Sequence, residues 1–102
     1  MSYENFRPAI FQRGAAVLEI YARYNEENHY EIVVRGNGAY VNSQSLFELI
    51  NRYIDGRFFN VKSVEVWLYN LQVDSVYIQD RLNQEHDINA RVYVEDRYTN
   101  GI

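Results

Sequence analysis

The sequence predicts an α+β fold, a mostly antiparallel, twisted sheet of five or six strands with one main helix packed on one face. Several runs alternate apolar and polar residues, as half-buried strands do. One stretch, residues 45–54, instead repeats its apolar residues at helical spacing. At 102 residues the chain can build a single core, so residues 1–102 are expected to form one domain.

The N-terminal part of the sequence indicates an arm followed by a strand. Residues 1–14 contain the single proline, Pro8, and are expected to form an arm or a short helix. Residues 15–24 alternate, with Leu18 and Ile20 on one face, and predict a strand. A helix is the alternative for this run, because alanine and leucine favour it.

A glycine-rich segment, residues 36–38, raises the first question about function. It follows the polar turn residues 25–28 and the β-favouring run 29–35, and it precedes a short β-favouring run, residues 39–41. Glycine and asparagine here meet the needs of a tight turn with positive φ angles. The segment therefore predicts a turn between strands that needs no ligand.

A helix is expected to begin at Ser45. Ser45 and Glu48 fit a capping box, in which the serine hydroxyl and a glutamate three residues later satisfy free amides at a helix start. Apolar residues then recur at helical spacing up to Ile54, and Gly56 ends the pattern.

The C-terminal half predicts further strands. After a connector at Phe58 and Phe59, residues 61–69 and 89–98 alternate as strands do. Residues 73–82 fit either a strand or a helix. The expected order is three strands, a helix, and two or three more strands.

Composition argues against several classes of protein. The chain has no cysteine, which rules out a disulfide framework, a zinc–thiolate site and a cysteine nucleophile. It shows no signal-peptide pattern and no membrane-length apolar run, so a cytoplasmic location without membrane contact is expected. A net charge of −4 without a basic tail argues against bulk attachment to duplex nucleic acid.

The aromatic and arginine content indicates a contact surface. The chain has ten tyrosines, five phenylalanines and one tryptophan, and nine of its ten basic residues are arginine. Tyrosine is often half buried and half wet, and arginine stacks on aromatic rings. This combination is typical of broad sheets and interfaces.

Strand alternation divides the chain between two faces of the sheet. The apolar face, which the helix would cover, consists of Leu18, Ile20, Ile32, Val34, Val64, Val66, Leu68, Val92 and Val94. The opposite face consists of Glu19, Tyr21, Arg23, Glu31, Val33, Arg35, Glu65, Trp67, Tyr69, Arg91, Tyr93, Glu95 and Arg97. A single helix covers only one side of a sheet, so this second face is left for solvent, the N-terminal segment or another molecule.

We predict that this second face binds a partner. The residues expected to carry the binding are Tyr21, Arg23, Arg35, Trp67, Tyr69, Arg91 and Tyr93. Their residue types are enriched at binding hot spots, and the interleaved glutamates allow the face to pair with a copy of itself. One alternative is a solvated surface stabilised by cross-strand pairs. Another is a platform for single-stranded nucleic acid, which the glutamates disfavour because they repel phosphates.

The sequence gives weaker support to three other functions, which are RNA binding, metal binding and catalysis. Residues 35–41 resemble the glycine-rich strand of the RNA-recognition motif, but Asn37 and Ala39 stand where that family has base-stacking aromatics. His29 and His86 lie among carboxylates in predicted turns and would offer metal ligands if those turns met, although solvated turns are the simpler explanation. The sequence has no nucleophile motif, so we predict no catalytic residue, metal or cofactor.

The expected function is that of a small non-enzymatic accessory protein that binds another protein, with a homodimer as one expected assembly. Small acidic α+β proteins of this size include inhibitors, immunity factors and adaptors, some of them carried by phages against host defence enzymes. Size and composition indicate this class by analogy.

Overall fold

The computed structural model confirms the α+β class. It describes residues 4–5, 9–24, 29–57, 61–86 and 89–95. In chain order the elements are β1 (Glu4–Asn5), β2 (Ala9–Arg13), β3 (Ala16–Tyr24), β4 (His29–Arg35), α1 (Ser43–Arg57), β5 (Ser63–Tyr69), α2 (Ser75–His86) and β6 (Asn89–Glu95). The predicted turn at 25–28, the connector at Phe58 and Phe59, and Arg97 lie outside the described residues. In the described ranges, no helix combines the length and apolar character needed to cross a membrane.

The six strands form one mixed sheet. β3, β4, β5 and β6 are consecutive neighbours, and β1 and β2 both pair with β3. The pairings among β1 to β4 are antiparallel, whereas β4–β5 and β5–β6 are parallel. The prediction of a mostly antiparallel sheet therefore describes the N-terminal half. Parallel neighbours require a crossover connection, and α1 and α2 are those crossovers.

The alternative for residues 73–82 is resolved in favour of a helix, α2. Ile78 and Leu82 are fully buried one helical turn apart, whereas Val76 and Asp80, which would share a strand face with them, are exposed. Asp74 caps this helix, because its Oδ1 accepts a hydrogen bond from the Tyr77 amide at 3.2 Å. Two helices, rather than one, therefore cover the sheet.

The start of α1 differs from the prediction. The helix begins at Ser43, and Asn42 is its cap, since Asn42 Oδ1 accepts a hydrogen bond from the Ser45 amide at 3.0 Å. The predicted capping box of Ser45 and Glu48 is wrong. Asparagine caps at least as well as serine, so the residue that occurs first satisfies the free amides.

The N-terminal prediction is wrong for residues 9–13, which form β2 rather than an arm or a helix. This strand pairs antiparallel with β3 through a turn at Gly14, whose φ is 61°. Phe11 packs against the core from β2. Pairing with β3 provides ladder partners for backbone groups that a single helical turn leaves largely unsatisfied.

The glycine-rich segment closes the ends of β4 and β5. Gly36 N donates to Tyr69 O at 2.8 Å, and Gly38 N donates to Asn70 O at 2.7 Å. A Cβ on Gly36 would lie 2.8 Å from Asn70 O, and Gly38 has a φ of 89°. Residues 39–41 contribute a single bridge instead of the expected strand. Close backbone approach and positive φ explain both glycines without a ligand.

The core lies between the sheet and the two helices. Its largest fully buried side chains are Leu18, Ile20, Ile32, Val34, Leu46, Ile50, Val64, Val66, Leu68, Ile78 and Leu82. The predicted apolar face is therefore confirmed along β3, β4 and β5. On β6, Val92 is half-buried, but Val94 is 47% exposed and its assignment to the core is wrong. β6 lies at the edge of the sheet, where a side chain has a neighbouring strand on one side only.

Candidate functional site

The side chains of β3 to β6 that point away from the helices form the open face of the sheet. The strand registers arrange them in rows that run across the strands. The aromatic row is Tyr21, Val33, Trp67 and Tyr93. On one side of it lies the first charged row, Glu31, Glu65 and Arg91, whose register continues to position 23 on β3, and on the other the second charged row, Glu19, Arg35, Tyr69 and Glu95. An end row of His29, Ser63 and Asn89 follows the first charged row.

The aromatic row combines a stacked pair with a depression. The rings of Trp67 and Tyr93 stack with their centroids 4.4 Å apart and their planes 23° apart. Val33 is the one short side chain of the row, and its larger neighbours leave it only 7% exposed. An open depression of about 330 Å³ lies over it, with Tyr21 and Trp67 among its walls. This volume suits one large side chain from another molecule.

Arg35 is held at the edge of this depression by aromatic side chains. Its Nη2 donates to the Tyr21 hydroxyl at 3.3 Å, and its guanidinium lies 6.0 Å from the Tyr21 ring centroid and 5.1 Å from that of Tyr69. The hydrogen bond to Tyr21 raises the pKa of Arg35 above its usual value, and the nearby Glu19 adds to the effect. Arg35 is therefore a fixed positive charge on an exposed aromatic support.

The opposite edge of the depression is negative. Glu31 and Glu65 are register partners on β4 and β5, and Glu31 lines the depression. His29 joins them, with its Nε2 3.7 Å from Glu65 Oε1 and its Nδ1 2.6 Å from Ser63 Oγ. Along β4 the open face therefore carries opposite charges on the two sides of its aromatic row.

Ligand atoms of His29, Glu31 and Glu65 lie within 4.8 Å of one another, which is close enough to hold a divalent cation. The sequence prediction paired His29 with turn carboxylates and missed Glu65. Residues 29 and 31 share a strand face in the sequence, but their proximity to Glu65 depends on the parallel register of β4 and β5.

The predicted meeting of the two histidine turns does not occur among the described side chains. His86 ends α2 and contacts Asn51 and Asp55 of α1, on the helix side of the sheet. His29 lies on the open face. The sheet thus separates the two imidazoles, and a site that uses both is excluded.

Ser63, His29 and Glu65 also occur in the order hydroxyl, imidazole, carboxylate. The 3.7 Å separation between His29 and Glu65 is longer than a hydrogen bond, and the strands' amides are committed to the sheet ladder rather than to an oxyanion hole. Among the described residues, the depression lies over Val33 and is not lined by Ser63. This arrangement therefore differs from a hydrolytic triad, in which the imidazole is hydrogen-bonded to the carboxylate.

Six of the seven residues predicted to bind a partner occupy the open face together. Tyr21, Trp67 and Tyr93 lie in the aromatic row, Arg35 and Tyr69 in the second charged row, and Arg91 in the first. The register also pairs Arg23 with Glu31, but the Arg23 side chain lies outside the described residues. Sequence reasoning did not find Val33 as the floor of a depression, because that role depends on the neighbours across the sheet.

Comparison of the chain with protein-family models, curated proteins and solved structures gives no significant match.

Proposed function

We propose that this chain is a non-enzymatic protein-binding module and that the open face is its contact surface. The observation that carries the proposal is the aromatic row, which lies between two charged rows on a face that neither helix covers. Such a module fits an accessory protein of the inhibitor, immunity or adaptor type. Its partner would present one large side chain to the depression and charges that complement Arg35 and Glu31.

The depression distinguishes a binding face from a solvated sheet surface. Cross-strand pairs such as Trp67 and Tyr93 stabilise a sheet that faces only water. A sheet surface that faces only water does not, however, require a depression over Val33 with aromatic walls and with Arg35 and Glu31 at its edges. Hot spots in protein interfaces have this composition, an aromatic or arginine cluster that surrounds a site for one partner side chain.

Single-stranded nucleic acid is the alternative ligand, and the aromatic row favours it in one respect. Aromatic side chains on a sheet stack bases. However, Trp67 and Tyr93 already stack on each other, and glutamates occupy both charged rows. Fluorescence anisotropy with labelled oligo-dT and oligo-U tests this alternative. We expect no binding, whereas binding that weakens steeply with salt would support it.

Site-specific photo-crosslinking tests the proposed function. A benzophenone side chain at Tyr69 lies on the open face, and one at Val76, which is 66% exposed on α2, is the matched control. We expect a crosslinked protein from Tyr69 and not from Val76 when each variant is expressed in the native cells.

The Trp67→Ser substitution should abolish the Tyr69 crosslink, because it removes the largest side chain of the aromatic row. A Gln84→Ser substitution on the exposed surface of α2 should leave the crosslink unchanged. Equal crosslinking from Tyr69 and Val76, or none from either, would contradict the proposed function.

A further inference from the structure

We infer that the open face binds a second copy of this chain, through a two-fold axis that runs along the aromatic row. The inference rests on the proposed function and names its partner. It is carried by the order of charges in the two charged rows, which places opposite charges at facing positions under this symmetry.

Two sheets that pack face to face align their strands to within about 30°. A two-fold axis between two identical faces therefore runs either along the rows or along the strands. An axis along the aromatic row keeps every strand opposite its own copy and brings the first charged row of one chain over the second charged row of the other.

This axis places opposite charges together. Glu31 faces Arg35 of the second copy, because both lie on β4 in different charged rows. Arg91 faces Glu95 of the second copy in the same way on β6. On β5, Glu65 faces the Tyr69 hydroxyl of the second copy, which can donate a hydrogen bond to it. Symmetry repeats each pair, so the interface contains four ion pairs among the described side chains.

An axis along the strands that keeps all four strands in contact lies between β4 and β5, and it would do the reverse. It exchanges the strands within each row, so that Glu31 faces Glu65 of the second copy and Glu19 faces Glu95. Like charges held together across an interface are strongly unfavourable. The charge order of the open face therefore favours the axis along the aromatic row over this one.

The same axis brings the two depressions over Val33 face to face. The long side chain of Arg35 from each copy then lies over the depression of the other, next to Glu31 and its register partner Glu65.

The size of the open face indicates a weak dimer. Four strands about 4.8 Å apart and three facing rows about 6.7 Å apart give a footprint of roughly 390 Å² on each copy. Stable interfaces bury about 800 Å² per partner, so this face falls in the size range of weak, transient interfaces. We expect a dissociation constant on the order of micromolar rather than nanomolar.

Variants that exchange charges across the axis test the inference. Sedimentation equilibrium at chain concentrations from about 1 μM to about 1 mM measures the dissociation constant of each dimer. The variants are Glu31→Arg and Arg35→Glu. Each alone should raise the dissociation constant at least tenfold, because it places like charges together twice. An equimolar mixture of the two, and the chain that carries both substitutions, should dimerise within about threefold of the unmodified chain.

Arg91→Glu and Glu95→Arg provide a second exchange on the edge strand β6, in case a substitution on the central strand β4 unfolds the protein. Each of these variants alone should dimerise more weakly, and their mixture or the chain that carries both substitutions should dimerise normally. Circular dichroism of each variant separates loss of dimer from loss of fold.

Two results would overturn the inference. A chain that is monomeric over the whole concentration range has no such dimer. Dimerisation that Glu31→Arg strengthens would show the axis along the strands, where this arginine faces Glu65. If the chain is monomeric but Tyr69 still crosslinks to another protein, the inference fails and the proposed function stands. If it is monomeric and Tyr69 yields no crosslink, both fail.

Discussion

Leu68 and Trp67 are consecutive residues of β5, yet they belong to regions with different physical roles. Leu68 points toward the helices and is fully buried, as are its neighbours Val34 on β4 and Val66 on β5. Trp67 points to the open face, where it is half-buried against Tyr93 and the floor of a depression. The helix side removes apolar area from water within one chain, whereas the open face still has area to bury.

This difference separates the source of stability from the source of function. Burial of apolar area is the main favourable contribution to folding, and the helix side provides most of it here. The open face has aromatic rings and fixed charges that gain more from a partner than from water. Substitutions on the two faces should therefore have distinct effects, and four predictions test this.

The largest effect is expected from Leu68→Ala on the helix side. The truncation leaves a cavity between the sheet and the helices, and we expect a loss of about 2–5 kcal/mol of unfolding free energy. Urea denaturation at a concentration where the chain is monomeric measures it. Trp67→Ala is the control on the adjacent residue and should cost less, despite its larger side chain. If Trp67→Ala costs more, the open face belongs to the core.

The next largest effect on the unfolding free energy is expected at Gly36, which directly follows the last residue of β4. An added Cβ meets Asn70 O at 2.8 Å and Leu71 Cβ at 2.9 Å. We expect Gly36→Ala to cost about 1–3 kcal/mol, as overpacking does. Gly14→Ala is the comparison, because it has open space and only its positive φ opposes alanine, at about 1 kcal/mol. If Gly36→Ala leaves the unfolding free energy unchanged, the close contact between the segments that follow β4 and β5 does not stabilise the sheet.

Asp74→Ala tests whether the helix layer can be weakened without an effect on the open face. The Asp74 side chain caps α2, and its loss should cost about 1 kcal/mol of unfolding free energy. Crosslinking from the benzophenone at Tyr69 should not change. Asp80→Ala, at an exposed position within α2, is the control and should be nearly neutral. Lost crosslinking in the folded Asp74 variant would show that the two faces are coupled.

The smallest effect is the stacking of Trp67 on Tyr93. A double-mutant cycle with alanine at both positions should give a coupling energy of about 0.5–1.5 kcal/mol in urea denaturation. The pair of Trp67 and Tyr77, which lie on opposite sides of the sheet, should be additive within about 0.5 kcal/mol. Zero coupling between Trp67 and Tyr93 would mean that the rings do not stack in solution.

Prediction from the sequence worked where the signal is local. Alternation along a strand has a period of two residues, so Leu18 and Ile20 separate from Glu19 and Tyr21 without knowledge of the partner strands. Local signals gave the wrong element for residues 9–13 and left residues 73–82 open between a strand and a helix. Short runs of mixed residues fit a strand and a helix nearly equally, and the neighbouring β3 and the buried side of α2 decided between them.

The sequence by itself determined the α+β class, the two faces of the central strands and the concentration of tyrosine, tryptophan and arginine on one of them. Only the tertiary structure decided the strand order, the parallel crossovers and the register. These depend on contacts between residues far apart in the chain, such as His29 with Ser63 and Glu31 with Glu65. The rows, the depression over Val33 and the matched order of charges exist only once that register is formed, because each row takes one residue from each of four strands.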